Sequence, residues 1–170
     1  MADFLVPNSL VGTARNNLTG QPSIEGKVVP LQCAMLEFDT DGTLAVDTYL
    51  DLIPASLNKS GLLIMSLKGQ VTEVIAADAT APVITIRDGA STPNTLGTLT
   101  GTDGDVVGDY VAPGSWTEWE ALSDGTDYSA QHVEAGVKVE AAVTTLGSDA
   151  ATTTGKILVL VEFYAVPSTE

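Results

Sequence analysis

Cysteine is nearly missing from this sequence, and aromatic and basic residues are scarce. A lone cysteine, Cys33, rules out an internal disulfide. With one cysteine and one histidine, His132, the chain lacks the usual ligand set for zinc. Seven Lys and Arg stand against 22 Asp and Glu, for a net charge of −15. So acidic a surface repels duplex nucleic acid, whose binding needs cations to displace counterions. Anionic membrane is disfavoured on the same ground. No apolar run nears the ~20 residues that cross a bilayer as a helix. The opening MADFLVPNSL has neither a basic start nor a long apolar stretch, so it does not read as a signal peptide.

What remains is aliphatic. Hydrophobic residues make up 44% of the chain and aromatics only 5%, so Val, Leu, Ile and Ala must build the core. Branching at Cβ makes Val, Ile and Thr stiff and suits them to strands. Gly, Asp and Asn supply the turns between. The 170 residues suit one domain, with room for an appended arm.

Residues 1–26 read as that arm, because Pro7, Asn8, Gly12, Gly20, Pro22 and Gly26 interrupt any regular element. Apolar residues scattered through it would prefer to dock, either on a neighbouring subunit or on the arm's own domain. Residues 27–170 read as the β domain. Lys27 to Phe38 is an apolar run closed by the turn Asp39-Thr40-Asp41-Gly42. Leu44 to Ile53 alternates, with Leu44, Val46, Thr48, Leu50 and Leu52 on one face and Asp47 and Asp51 on a wet one. Gly61 to Ala76 holds one or two strands, with a bulge or bend expected at Lys68-Gly69-Gln70.

Val83 to Arg87 ends at Asp88-Gly89, a hairpin signal, and Leu96 to Leu99 has weak strand character. Val106 to Val111 and Trp116 to Leu122 follow as short strands. Gly136 to Thr145 alternates, with Val137, Val139, Ala141 and Val143 inward and Lys138, Glu140 and Thr144 outward. Lys156 to Val166 is apolar partly on both faces, as a central strand would be. A short helix fits only near 55–57 or 76–81. Eight to ten short strands with Gly and Asp turns predict an all-β sandwich, most often a jelly roll.

Candidate sites are few. Asp39 and Asp41, and Asp103 and Asp105 with Asp109, offer oxygens for calcium, but neither stretch completes a calcium loop, and Asp-Gly is ordinary turn chemistry. His132 lacks a spaced nucleophile and carboxylate, and no Gly-x-Ser-x-Gly elbow is present. Cys33, in an apolar stretch, reads as a small buried hydrophobe. Glu118 and Glu120 beside Trp116 and Trp119 match the carboxylates and aromatic platforms of sugar sites. With 22 acidic residues some such pair is expected by chance. No residue is assigned a catalytic, cofactor or metal role.

The order from Thr72 to Pro167 resembles bacteriophage head decoration, or cement, proteins. It runs Thr72-Glu73-Val74, then Pro82-Val83-Ile84-Thr85-Ile86-Arg87-Asp88-Gly89, then a Gly/Thr/Asp-rich middle. It ends with Gly136-Val137-Lys138-Val139-Glu140-Ala141-Ala142-Val143-Thr144 and Gly155-Lys156-Ile157-Leu158-Val159-Leu160-Val161-Glu162-Phe163. The resemblance implies a jelly-roll sandwich on the outer surface of a virion. There it would self-associate as a trimer or dimer and clamp neighbouring major capsid proteins, without catalysis or cofactor. Attachment would then fall to the arm's apolar residues, Phe4, Leu5, Val6, Leu10 and Val11. The alternative is a tail-associated or receptor-binding sandwich that holds a glycan on the Trp116/Trp119 strand.

Overall fold

The computed structural model describes residues 31–111, 113–114, 132–149 and 153–166. Among them are nine strands and one 3-10 turn: β1 (Gln32–Asp39), β2 (Leu50–Ile53), the turn Ala55–Leu57, β3 (Leu62–Ala76), β4 (Val83–Asp88), β5 (Thr95–Thr100), β6 (Tyr110–Val111), β7 (His132–Val133), β8 (Val139–Thr145) and β9 (Thr154–Ala165). They form two antiparallel sheets. One has the order β1-β9-β3-β6, with β7 also on β3; the other has β2-β8-β4-β5. Leaving aside the two-residue β7, the chain crosses between the sheets in jelly-roll order, as expected.

Alternation along the strands decides what lies between the sheets. On β9, Ile157, Val159, Val161 and Phe163 point inward and are buried. Ile84 and Ile86 of β4 and Val139, Ala141 and Val143 of β8 meet them from the other sheet in one apolar cluster. Burying each of the larger aliphatic side chains contributes roughly 2 kcal/mol relative to exposure. β9 is central, hydrogen-bonded to β1 on one side and β3 on the other, as its two-sided apolar character predicts.

β3 is one strand of 15 residues, not two. Its register irregularities fall at Ile64/Ser66, Val71/Glu73 and Glu73/Ala76, so the expected bulge at 68–70 is absent and pairing there is regular. Gly69 is needed for close approach instead. A Cβ on it would stand 2.9 Å from Val111 Cβ and 3.2 Å from Leu99 Cδ1.

Two expected strands are shorter than alternation suggests. Only Leu50–Ile53 of the 44–53 stretch is a strand. Asp47 takes φ 61 and its amide donates to the Val143 carbonyl, which turns the chain before β2 and leaves Val46 exposed. Only Tyr110–Val111 of 106–111 is a strand. Residues 102–109 form two successive turns built alike. Asp105 and Asp109 each donate their amide to the carbonyl three residues back, Thr102 and Val106. Their side chains accept from the same two residues' amides at 2.8 and 2.9 Å. Gly104 (φ 84) and Gly108 (φ 100) make the left-handed bends. The Gly104 and Gly108 amides donate to the Ile75 and Val71 carbonyls, and the Val71 and Ile75 amides donate back to the Asp109 and Asp105 carbonyls. The turns thus run along the edge of β3.

Buried polar groups are answered locally. Asn58 donates from Nδ2 to the Glu134 and Val137 carbonyls at 2.6 and 2.7 Å, and its Oδ1 accepts from the Gly61 amide at 2.9 Å. This ties the 3-10 turn to the segment before β8. Asp88 accepts from both the amide and the side chain of Asn94, closing the β4–β5 hairpin.

Gly69→Ala should destabilise the fold by about 1–3 kcal/mol through overpacking against Val111, measured as a lower urea midpoint with unchanged slope. Asn58→Ala orphans three partners and should cost about 3 kcal/mol in the same experiment. A change within error at either position would contradict the packing described.

Candidate interaction surface

The two outward faces of the sandwich differ. On the β2-β8-β4-β5 side, Thr85 and Thr144 are hydrogen-bonded at 2.8 Å, and charges close on one another. Arg87 Nε lies 2.8 Å and Lys138 Nζ 2.7 Å from the Glu140 carboxylate. Lys138 also reaches Asp51 at 2.7 Å. Tyr49 stacks on the Arg87 guanidinium, 3.3 Å from ring centroid to Cζ. Glu140 does point to the outer face, as alternation predicts, but it is not wet: its side chain is only 5% exposed. Two cations cover it, one of them stacked on an aromatic ring, which a period-of-two reading does not register. The Asp51 carboxylate and then Glu140 raise the pKa of Lys138.

Four rows fixed by the register make up the middle of the outer face of the β1-β9-β3-β6 sheet. They are Cys33–Glu162–Ser66, Met35–Leu160–Lys68, Glu37–Leu158–Gln70–Tyr110 and Asp39–Lys156–Glu73. The two middle rows are apolar at their centre. Met35 is 60% and Tyr110 61% exposed, and Leu158 and Leu160 are half-buried. A shallow groove runs among Lys68, Gln70, Gly108, Tyr110, Leu158 and Leu160. Val106 and Val107, in the turns beside it, are also exposed.

Ion pairs bracket this stripe. At one end Glu162 accepts from the Ser66 hydroxyl and from Lys68 Nζ at 3.0 Å. At the other, Lys156 Nζ lies 3.4 Å from Asp39 and 3.5 Å from Glu73. The Ser66 hydrogen bond, then Lys68, holds the Glu162 carboxyl below the ordinary glutamate range. The Glu162 partner raises Lys68, and Asp39 followed by Glu73 raises Lys156. An apolar centre with a polar rim is the anatomy of a protein–protein contact surface.

The described candidate residues do not converge on one site. Phe4, Leu5, Val6, Leu10, Val11, Trp116, Glu118, Trp119 and Glu120 lie outside the described residues. The calcium candidates serve their own turns. Asp41 accepts from the Thr43 amide and hydroxyl, Asp103 from the Ala77 amide, and Asp105 and Asp109 as above. Asp39 pairs with Lys156. His132 is half-exposed on β7, 3.8 Å from Glu134.

Cys33 corrects an expectation: it is exposed on the outer face of β1, not buried. The apolar stretch around it belongs to a strand whose inward residues are Ala34, Leu36 and Phe38. Desolvation, then the neighbouring Glu162 carboxylate, push its thiol up, which makes it a poor nucleophile. Met35, Leu158, Leu160 and Tyr110 were not marked by sequence reasoning as a surface. The available signal was the two-sided apolar character of β9, which also marks a central strand.

The sign of the pH dependence is fixed by these shifts. Glu162 stabilises the fold above the ordinary glutamate value, and this is lost as pH falls through its depressed folded value. Lys68 and Lys156 stabilise it below the ordinary lysine value, and this is lost as pH rises through their raised folded values. In a carboxyl-carbon NMR titration, Ser66→Ala should move the Glu162 midpoint upward by more than Lys68→Met does. The reverse order would show that charge, not the hydroxyl, governs it.

No protein-family description matches this chain, and no curated protein matches it. Among solved structures, a chain of the cyanophage Pam1 capsid asymmetric unit aligns with 91% of this chain and 99% of its own length, at a TM-score of 0.46 and 17% identity.

Proposed function

We propose that this protein is a structural component of a bacteriophage head, a decoration protein on the outer surface of the capsid that clamps neighbouring major capsid proteins. The observation that carries the reading is the contrast between the two outward faces of the jelly roll. One is closed by its own ion pairs and threonine contacts, and the other leaves an apolar stripe uncovered among the described residues. Such a face suits a protein partner, and none of the described residues forms a catalytic constellation beside it.

The phage assignment itself rests on the sequence order. The stretch that resembles cement proteins, 72–167, includes β4, β8 and β9, which supply the middle strands of both sheets. The charge of −15 suits a surface displayed at high density in water. Attachment falls to the arm in this reading, through Phe4, Leu5, Val6, Leu10 and Val11. An arm that orders on a lattice loses entropy but gains by wrapping a large surface. Repeated attachment points then add avidity, holding the head against the pressure of packaged DNA.

Quantitative mass spectrometry of purified virions tests the placement. A copy number approaching that of the major capsid protein, or one oligomer per local symmetry axis, is the expected result. A few copies per particle would move the protein to the tail. Deleting residues 1–20 should abolish binding to undecorated heads with the β circular-dichroism spectrum unchanged. Undiminished binding would remove the arm from the attachment.

A further inference from the structure

The outer face of β9 has an internal symmetry that the capsid reading does not use. Its outward residues run Lys156, Leu158, Leu160, Glu162, at every second position. About Val159 the pattern is symmetric in apolarity and antisymmetric in charge. Leucine corresponds to leucine, and the lysine at one end corresponds to the glutamate at the other. The two charges stand about 20 Å apart along the strand. Along β9 this pattern complements a copy of itself laid across it in the reverse direction, with Asp39 and Glu73 flanking the lysine on the neighbouring strands.

We propose that this face seats a second copy of the same chain, sheet against sheet, about a twofold axis that crosses the strands at Val159. In the aligned class of face-to-face packing, this axis lays β9 over β9. The axis then sets Leu158 against Leu160 of the second copy, twice. It brings Glu162 opposite Lys156 at both ends. On the flanking strand Lys68 comes opposite Gln70, since both straddle Gly69, the partner of Val159 in the register. Tyr110 lies at the rim of the contact.

The other aligned twofold, with its axis along the strands, fails on charge. It would stack Glu162 on Glu162 and Lys156 on Lys156. The net charge of −15 disfavours random self-association, and on this face lysine can meet glutamate of the second copy. Such a contact is isologous and closes at two copies.

The test uses the purified full chain, without capsid, and so is independent of the proposed function. Sedimentation velocity across a concentration series should show a monomer–dimer equilibrium. Leu160→Asp, at a half-exposed outward position, should abolish the dimer with the circular-dichroism spectrum unchanged. Lys156→Glu and Glu162→Lys alone should each weaken it by about tenfold or more, since each sets like charges together at both ends. An equimolar mixture of these two variants should restore dimers as heterodimers, because opposite charges then meet again at both ends of the contact. A role confined to folding within one chain predicts no such rescue. A monomer at every concentration, a trimer, or a dimer indifferent to Leu160→Asp and to mixing would overturn the proposal.

Discussion

β9 is held on both sides, to β1 over Gln32–Asp39 and to β3 over Leu62–Ala76, and this double pairing governs the rest of the molecule. A slip of one residue would turn Ile157, Val159, Val161 and Phe163 to water and bring Lys156, Leu158, Leu160 and Glu162 into the core. The inward residues of β9 fix the position of the second sheet, and its outward residues define the surface stripe. Core and surface are therefore two readings of a single register.

The second sheet uses a different principle. Its outer face turns its cations onto its own carboxylates, with Glu140 covered by Arg87 and Lys138 and the guanidinium covered by Tyr49. A buried carboxylate so surrounded adds little net stability over an apolar group of the same size. It does tie β8 to β4 through Arg87, while Lys138, just before β8, reaches Asp51 in β2. Arg87 and Lys138 are thus committed within the chain, whereas the opposite face leaves apolar carbon for a partner.

Legibility in the sequence follows the balance between local and distant causes. β4, β8 and β9 could be read because alternation, length and flanking Gly or Asp agree with their place in the sandwich. The jelly-roll class followed from their number and spacing. Leu44 to Thr48 alternates just as well, yet a left-handed Asp47 and its bond to the distant Val143 turn it out of the strand. Val106 and Val107 have strong strand preference, but Gly104 and Gly108 recruit their segment into turns along β3. Cys33 was misjudged because an apolar run contains outward positions too. The bulge or bend expected at Lys68-Gly69-Gln70 is absent, and Gly69 is there for the close approach of Val111, which no local pattern encodes. The surface stripe stayed hidden because apolarity on both faces of a strand does not say which face is the core.

The tandem turns at 102–109 have a consequence for growth. They occupy hydrogen-bonding positions of β3 at Val71 and Ile75, while β6 and β7 take others, so the far side of that sheet is largely taken. On the near side, no described strand pairs with the outer edge of β1. In the language of polymerisation, the described strands leave this sheet one long reactive edge, that of β1. A unit with one reactive edge can couple once and then terminates the chain, whereas a fibril needs two. The turns along β3 thus limit the runaway strand addition that crowding would otherwise favour.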